Sequence, residues 1–302
     1  MTIAESISSY KRYLLTERRL AEGTVKNYTT DLESLAAWLS EGGVTDVTEI
    51  SARDIRSWQM ANMDAGTGDG TMKRKLSSVR SWFRYMRRNK WIDRDVMAKI
   101  TAPKTPKHLP VFFKESETER IYEAAMFPEG YEGERDKLIL RMLYETGMRR
   151  SELAGLKPEA IDFSAKNIKV LGKGNKERYI PVEVELLHNI ELYLALKEKE
   201  HPGNASLFVT KRGRTFNAAD VYRVVKKYMC ALSNAERISP HVFRHTFATH
   251  MLNEGANIDA IKELLGHANL NATEIYTHNT REHLKEAYKH AHPRADAAKQ
   301  RK

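Results

Sequence analysis

Two arginines, a lysine, two histidines and a tyrosine stand in four short segments of the chain's second half. Arg149 lies in TGMRRSEL (146–153), where Gly147 can end one helix and Ser151 and Glu152 can begin the next. A guanidinium at such a junction can be aimed. Lys173 lies in GKGNKER (172–178), between two glycines that let a hairpin tip come close to a ligand. The GxxxxGK[ST] spacing of a P-loop is absent, which removes the nucleoside-triphosphate reading. His241 and Arg244 share a face at the start of SPHVFRHTFATHML (239–252), with Ser239 as N-cap and Pro240 as first helical residue. The dipole and free N–H groups of that helix end favour an anion. Phe243, Phe247 and Met251 turn the other way, towards a core, and His245 and His250 read as structural or solvent-facing. His267 and Tyr276 lie in LLGHANLNATEIYTH (264–278), where Gly266 ends a helix and presents the histidine. Each segment alone has a bland reading: an arginine paired with Glu152, an ordinary hairpin, a core tyrosine.

Taken as a set they suit phosphoryl transfer. A phosphodiester gathers negative charge on its non-bridging oxygens as a fifth ligand arrives, and two permanently charged guanidinium groups can hold those oxygens. A phenol, with a pKa near 10, is a poor nucleophile until neighbouring cations lower that value and a histidine takes its proton. The departing sugar oxygen needs a proton, which a lysine on a hairpin can deliver. No carboxylate cluster of the kind Mg²⁺ prefers and no HExxH stands out, so neither a metal nor any other cofactor is expected.

The elements that must position these groups are mostly helical. In the first hundred residues, Val25, Tyr28, Leu32, Leu35 and Leu39 step by three and four after Thr24, a plausible N-cap, and Gly42–Gly43 end the pattern. Similar patterns run from Ser51 to about Met63 and from about Thr71 to Trp91, without strand-like alternation. TAPKTPKHLP (101–110) carries three prolines and reads as a linker. Beyond it, helices are expected near 115–126, 134–147, 183–198, 217–232, 240–253, 258–265 and 280–290. NIKVL (167–171) and ERYIPV (177–182) form a β-hairpin around GKGNK. The fold class is mainly α: an all-helical N-terminal domain (1–100), a linker (101–110) and a mostly helical second domain (111–302) with a small antiparallel sheet.

The chain's 302 residues favour two domains, and its hydrophobic content of 41% is enough for a core, which excludes wholesale disorder. No apolar run approaches the ~20 residues of a membrane span. The first residues lack a secretory h-region, and the single Cys230 can form neither an internal disulfide nor a cysteine zinc site. A reducing, cytoplasmic compartment is the expectation. The net charge of +10 points to a polyanionic partner. Residues 72–90 hold eight Lys and Arg and no acid. Leu76, Val79, Phe83 and Met86 form the inward stripe. Lys75, Arg80, Arg84, Arg87 and Arg88, with Trp82 and Tyr85 among them, lie mostly around the rest and are the candidate DNA contacts.

In this order and spacing, the four segments resemble the tyrosine recombinase (phage integrase) family, and most closely its Xer-type members. The resemblance covers nearly the whole chain: residues 20–39 look like the helical DNA-clamping domain and HPRA (292–295) like the Xer tail. It implies Arg149 and Arg244 as phosphate clamps, Lys173 as general acid, His241 as an acid/base group, His267 as the later catalytic histidine and Tyr276 as the nucleophile that forms a 3′-phosphotyrosyl link. It further implies double-stranded DNA as substrate, two jaws closing around it, and four protomers on two sites. Those protomers could be copies of one chain or include a related recombinase, with the 280–290 helix docking on a neighbour. A nucleoid location, resolution of chromosome dimers at cell division and a septal DNA translocase as activator complete the implication. Three readings stay open here. A mobile-element integrase shares all of these features, a type IB topoisomerase would relax DNA without a paired site, and a non-enzymatic DNA-binding regulator would form no covalent adduct.

Overall fold

The computed structural model describes residues 1–104, 112–172, 177–233 and 238–266, together with Tyr288 and Ala291. Two compact units divide it, Met1–His108 and Leu109–Lys302.

The first unit is built from four helices, α1 (Ile3–Thr16), α2 (Glu22–Glu41), α3 (Ala52–Asp64) and α4 (Asp69–Arg88). Thr2 caps α1 and Ser51 caps α3. In each, a carboxylate three residues on, Glu5 or Asp54, accepts from the cap's own N–H. Helix α2 starts before Thr24. The amides of Thr24 and Val25 both donate to the Ala21 carbonyl (2.8 and 3.1 Å), so Thr24 already belongs to the first turn. Val25, Leu32, Leu35 and Leu39 are buried along α2 as the spacing requires, and Gly42 closes it.

On α4 the buried stripe is wider than the sequence pattern suggests. It takes in Met72, Leu76, Val79, Trp82, Phe83 and Met86. Trp82 sits wholly inside instead of among the cations, because α1 and α2 both pack on α4 and enclose more than one narrow row. Asp31 of α2 is buried as well, held by the Arg74 guanidinium and by the Ser78 hydroxyl at 2.8 Å. Removing one partner would strand a buried charge.

The second unit runs α5 (Glu115–Glu119), α6 (Tyr131–Thr146), α7 (Arg150–Ala154), β1 (Ile161–Asp162), β2 (Asn167–Leu171), β3 (Glu177–Pro181), α8 (Val184–Glu200), α9 (Ala218–Leu232), α10 (Pro240–Asn253) and α11 (Ile258–Leu265). The three strands form an antiparallel sheet in chain order, with Ile161 opposite Ile168, and Ile168 opposite Ile180. The hairpin is where the alternation puts it; β1, two residues long, was too short to anticipate. The pattern at 115–126 yields one turn of α-helix followed by 3₁₀ turns.

Helix α6 is buried on nearly every side, so it forms the centre against which α8, α9 and α10 pack. Its Leu138, Ile139 and Leu143 share a core with Ile168, Ile180 and Phe243. A second cluster joins Phe247 and Met251 of α10 to Ile261, Leu264 and Leu265 of α11, and takes in Tyr288 and Ala291 from the same chain. The 280–290 helix expected to dock on a neighbour lies mostly outside the described residues. The Tyr288 hydroxyl donates to the Glu145 carbonyl of its own chain (2.9 Å). No described helix is long and apolar enough to cross a membrane.

Candidate active site

Helix α6 ends at Gly147 in the left-handed region (φ 59°). A side chain there would be strained, and a Cβ would stand 2.6 Å from the Phe247 ring. The close approach of α10 to this turn therefore depends on glycine. Two residues on, Arg149 is the N-cap of α7. Its amide and its Nη1 both donate to the Glu152 carboxylate at 2.8 Å, which fixes the guanidinium at the junction. Arg244 projects from the first turns of α10 and is buried. Its Nη1 donates to the Gly147 carbonyl at 2.9 Å and its Nη2 to the Leu265 carbonyl.

A third guanidinium belongs to the same cluster. Arg178 of β3 donates from both terminal nitrogens to Glu152 (2.9 and 2.8 Å) and from Nε to the Leu264 carbonyl (2.8 Å). Arg149 Nη2 reaches the Gly266 carbonyl at 3.3 Å. The last two carbonyls of α11, at Leu264 and Leu265, and that of the capping Gly266 are thus taken in turn by Arg178, Arg244 and Arg149. The end of an α-helix leaves such carbonyls without intrahelical partners and carries partial negative charge, so it is a natural seat for cations.

Two guanidinium groups, those of Arg149 and Arg178, share the buried Glu152 carboxylate with Arg244 close by, and the charges show it. Burial alone would raise the Glu152 carboxyl, but the hydrogen bonds and charge of Arg178, followed by the Arg149 amide and guanidinium, hold it at about 2. Burial, then the neighbouring charges of Arg149 and Arg178, brings Arg244 down to about 10, still cationic at neutral pH. His241, just behind Pro240, is pushed below its usual value by desolvation and by the charges of Arg150, Arg244, His245 and Arg149, which favours the neutral imidazole. The site holds a surplus of fixed positive charge beside a neutral histidine, an arrangement that fits a bound anion.

The structure brings together Arg149, His241 and Arg244 among the expected site residues. Lys173, His267 and Tyr276 lie outside the described residues. Their attachment points do not: β2 ends at Leu171, β3 begins at Glu177, and α11 closes at Gly266. His250 is structural, with Nδ1 against the Tyr144 hydroxyl and Nε2 against the Phe113 carbonyl, each at 3.0 Å, and His245 is exposed. Sequence reasoning noticed Glu152 only as a partner of Arg149 and missed Arg178. The signal was the strand alternation, which puts Arg178 on the same inward face as Ile180 and Val182.

The candidate DNA contacts on α4 are mostly engaged within their own unit. Lys75 donates to Asn62 (2.6 Å) over the Trp58 ring, Arg80 to the Ile100 carbonyl (3.0 Å) and Arg88 to the Tyr13 hydroxyl (3.3 Å). Arg87 pairs with Asp95 at 2.8 Å. Arg84 is exposed and shows no such partner among the described residues. Arg80, Arg84 and Arg87 line one groove with Phe83 and Met97.

Residues 112–283 match the phage integrase family and residues 7–90 match the phage integrase N-terminal SAM-like domain, so the chain belongs to the phage integrase family. It is an enzyme, a tyrosine recombinase of the Xer type. The tyrosine recombinase XerC of Oceanobacillus iheyensis is 35% identical over 298 residues, covering 97% of each chain. That of Bacillus subtilis (strain 168) is 33% identical over 296 residues, covering 96% of each. In fold, the chain is similar to the Tn1549 transposon integrase in complex with circular intermediate DNA. The TM-score is 0.68 at 21% identity, over 93% of this chain and 98% of that one.

Proposed function

We propose that the protein cuts and rejoins duplex DNA at a specific site by way of a covalent 3′-phosphotyrosyl intermediate. The observation that carries this reading is the convergence of Arg149 and Arg244 on the end of α11, next to the segment that contains His267 and Tyr276. In this mechanism the Tyr276 hydroxyl attacks the scissile phosphorus. Arg149 and Arg244 hold the two non-bridging oxygens, whose charge peaks in the transition state. His241, kept neutral, and His267 serve the proton transfers at the phosphate. The bond from phosphorus to the 5′ oxygen breaks, and Lys173 protonates that oxygen as it leaves. The free 5′-hydroxyl of a partner strand then attacks the phosphotyrosine, releases Tyr276 and restores a phosphodiester. The number of phosphoester bonds is conserved, so no ATP is consumed.

Two sites and four protomers, copies of this chain or this chain with a related recombinase, form the working assembly. Resolution of chromosome dimers in the nucleoid at cell division is the proposed task, with a septal DNA translocase as activator. The Xer-named relatives, matched over almost their whole length, support this over the mobile-element reading.

Tyr276→Phe should bind DNA like the parent and form no adduct on a nicked suicide substrate. A covalent complex with that variant would overturn the assignment. Strand exchange should also survive EDTA; loss of all cleavage there would indicate a metal-dependent nuclease.

A further inference from the structure

We infer that Arg178, which is placed in no step above, is a positioning residue for the phosphate clamp: it sets Arg149 through Glu152 and locks strand β3 to the end of α11. The inference rests on the reading of Arg149 as a clamp. Among the described residues, Arg178 differs from Arg149 and Arg244 in that its Nε as well as both terminal nitrogens donate within the protein. It is 4% exposed.

Its two partners are what give it leverage. The bidentate bond to Glu152 is a fork that only a guanidinium makes, and it leaves the carboxylate oriented so that Oε1 accepts Arg149 Nη1 and Oε2 accepts the Arg149 amide. Two arginines thus share one carboxylate edge, and moving either moves the other. The bond to Leu264 fixes the last turn of α11 one residue before Leu265, the acceptor of Arg244, and two before Gly266, the acceptor of Arg149. The packing leaves little slack: a Cβ on Gly266 would meet the Arg178 side chain at 3.1 Å. Arg178 is the second residue of β3, so a single side chain links the strand that follows Lys173, the Arg149 junction and the segment that leads to His267.

The test is single-turnover cleavage of a nicked duplex bearing the site that the parent protein cleaves. Ordinary DNA is compared with the same duplex carrying a methylphosphonate at the scissile position. The methyl group replaces one charged oxygen, so less clamp charge is needed. Arg178→Lys keeps the charge but loses the fork. It should bind DNA within about twofold of the parent and cleave ordinary DNA roughly tenfold to a hundredfold more slowly, the scale of an ångström-sized misplacement. On methylphosphonate that deficit should shrink, as it should for Arg149→Ala. If Arg178→Lys does not fold, the double variant Arg178→Met with Glu152→Gln leaves no stranded buried charge and should show the same pattern.

Cleavage of ordinary DNA at the parent rate by a folded variant overturns the inference. So does a deficit that methylphosphonate leaves unchanged in the Arg178 variant while it shrinks for Arg149→Ala. If Arg149→Ala itself cleaves ordinary DNA like the parent, the clamp reading fails and the inference falls with it.

Discussion

Along α4 the cations are spread along the helix, mostly exposed or half-buried, and each engaged one has its own partner: Asp31, Asn62, the Ile100 carbonyl, Asp95 or Tyr13. Around Arg149 three guanidinium groups are crowded onto one carboxylate and three successive carbonyls. The first arrangement suits a long polyanion gripped anywhere along its length. Its side chains can swing from one weak partner to a phosphate, and the grip weakens with salt. The second is fixed before any ligand arrives, in a setting where burial and mutual repulsion already bring Arg244 down to about 10. Preorganised charge of that kind is worth most at a transition state. On the proposed reading, the same residue type would serve affinity in one unit and rate in the other, with burial making the difference.

The largest expected contrast lies between those two sets. Arg149→Ala or Arg244→Ala should lower the single-turnover cleavage constant by about 10²–10³, with a smaller change in DNA affinity. Arg84→Ala or Arg87→Ala should act on affinity, each reducing the slope of log K against log salt by about 1. Filter binding across a salt series, run beside cleavage at saturating enzyme, separates them. Arg84 variants that bind normally and fail to cleave would reverse the assignment.

Two glycines with positive φ give a smaller contrast. Gly147→Ala should cost about 2–4 kcal/mol, because a left-handed alanine is strained and its methyl group meets Phe247. Gly43→Ala, equally left-handed but with open space around it, should cost about 1 kcal/mol. Calorimetry can follow the second unit. Tryptophan fluorescence reports on the first alone, because Trp38, Trp58, Trp82 and Trp91 all lie there.

The smallest expected contrast is in acid sensitivity. Residues 1–107 contain no histidine. In the second unit His250 is buried and held below its usual value, chiefly by desolvation. The unfolded chain therefore binds a proton that the folded state refuses, so stability falls as pH drops through the unfolded value near 6.5 towards the lower folded one. Calorimetric melting of the second unit should decline between pH 7.5 and 5, with a shallower slope in His250→Gln. The fluorescence transition should change less over that range.

Much of this was legible in the chain. Helix α10 begins at Pro240 and ends at Asn253 as read, because Ser239–Pro240 is a strong local start. The β2–β3 hairpin follows from β-branched alternation around glycines. Arg149, His241 and Arg244 stood out because each sits at an element boundary. What escaped were long-range effects. Trp82 is interior because two other helices close over α4. Arg74, one of the eight basic residues of 72–90, is committed to Asp31, 43 residues away. Arg178 looked like one more charge on a hairpin.

The sequence by itself determined the periodicities, the breaks at Gly147 and Gly266, and the types and order of the reactive residues, since these depend on neighbours within a few positions. Only the tertiary structure decided which arginines share a carboxylate. Arg178 lies 26 residues from Glu152 and 86 from Leu264, and Arg149 lies 117 from Gly266. No local rule brings such groups within hydrogen-bonding distance. The packing of α10 and α11 around a glycine turn does, and the helix end they form supplies carbonyls that several guanidinium groups can share.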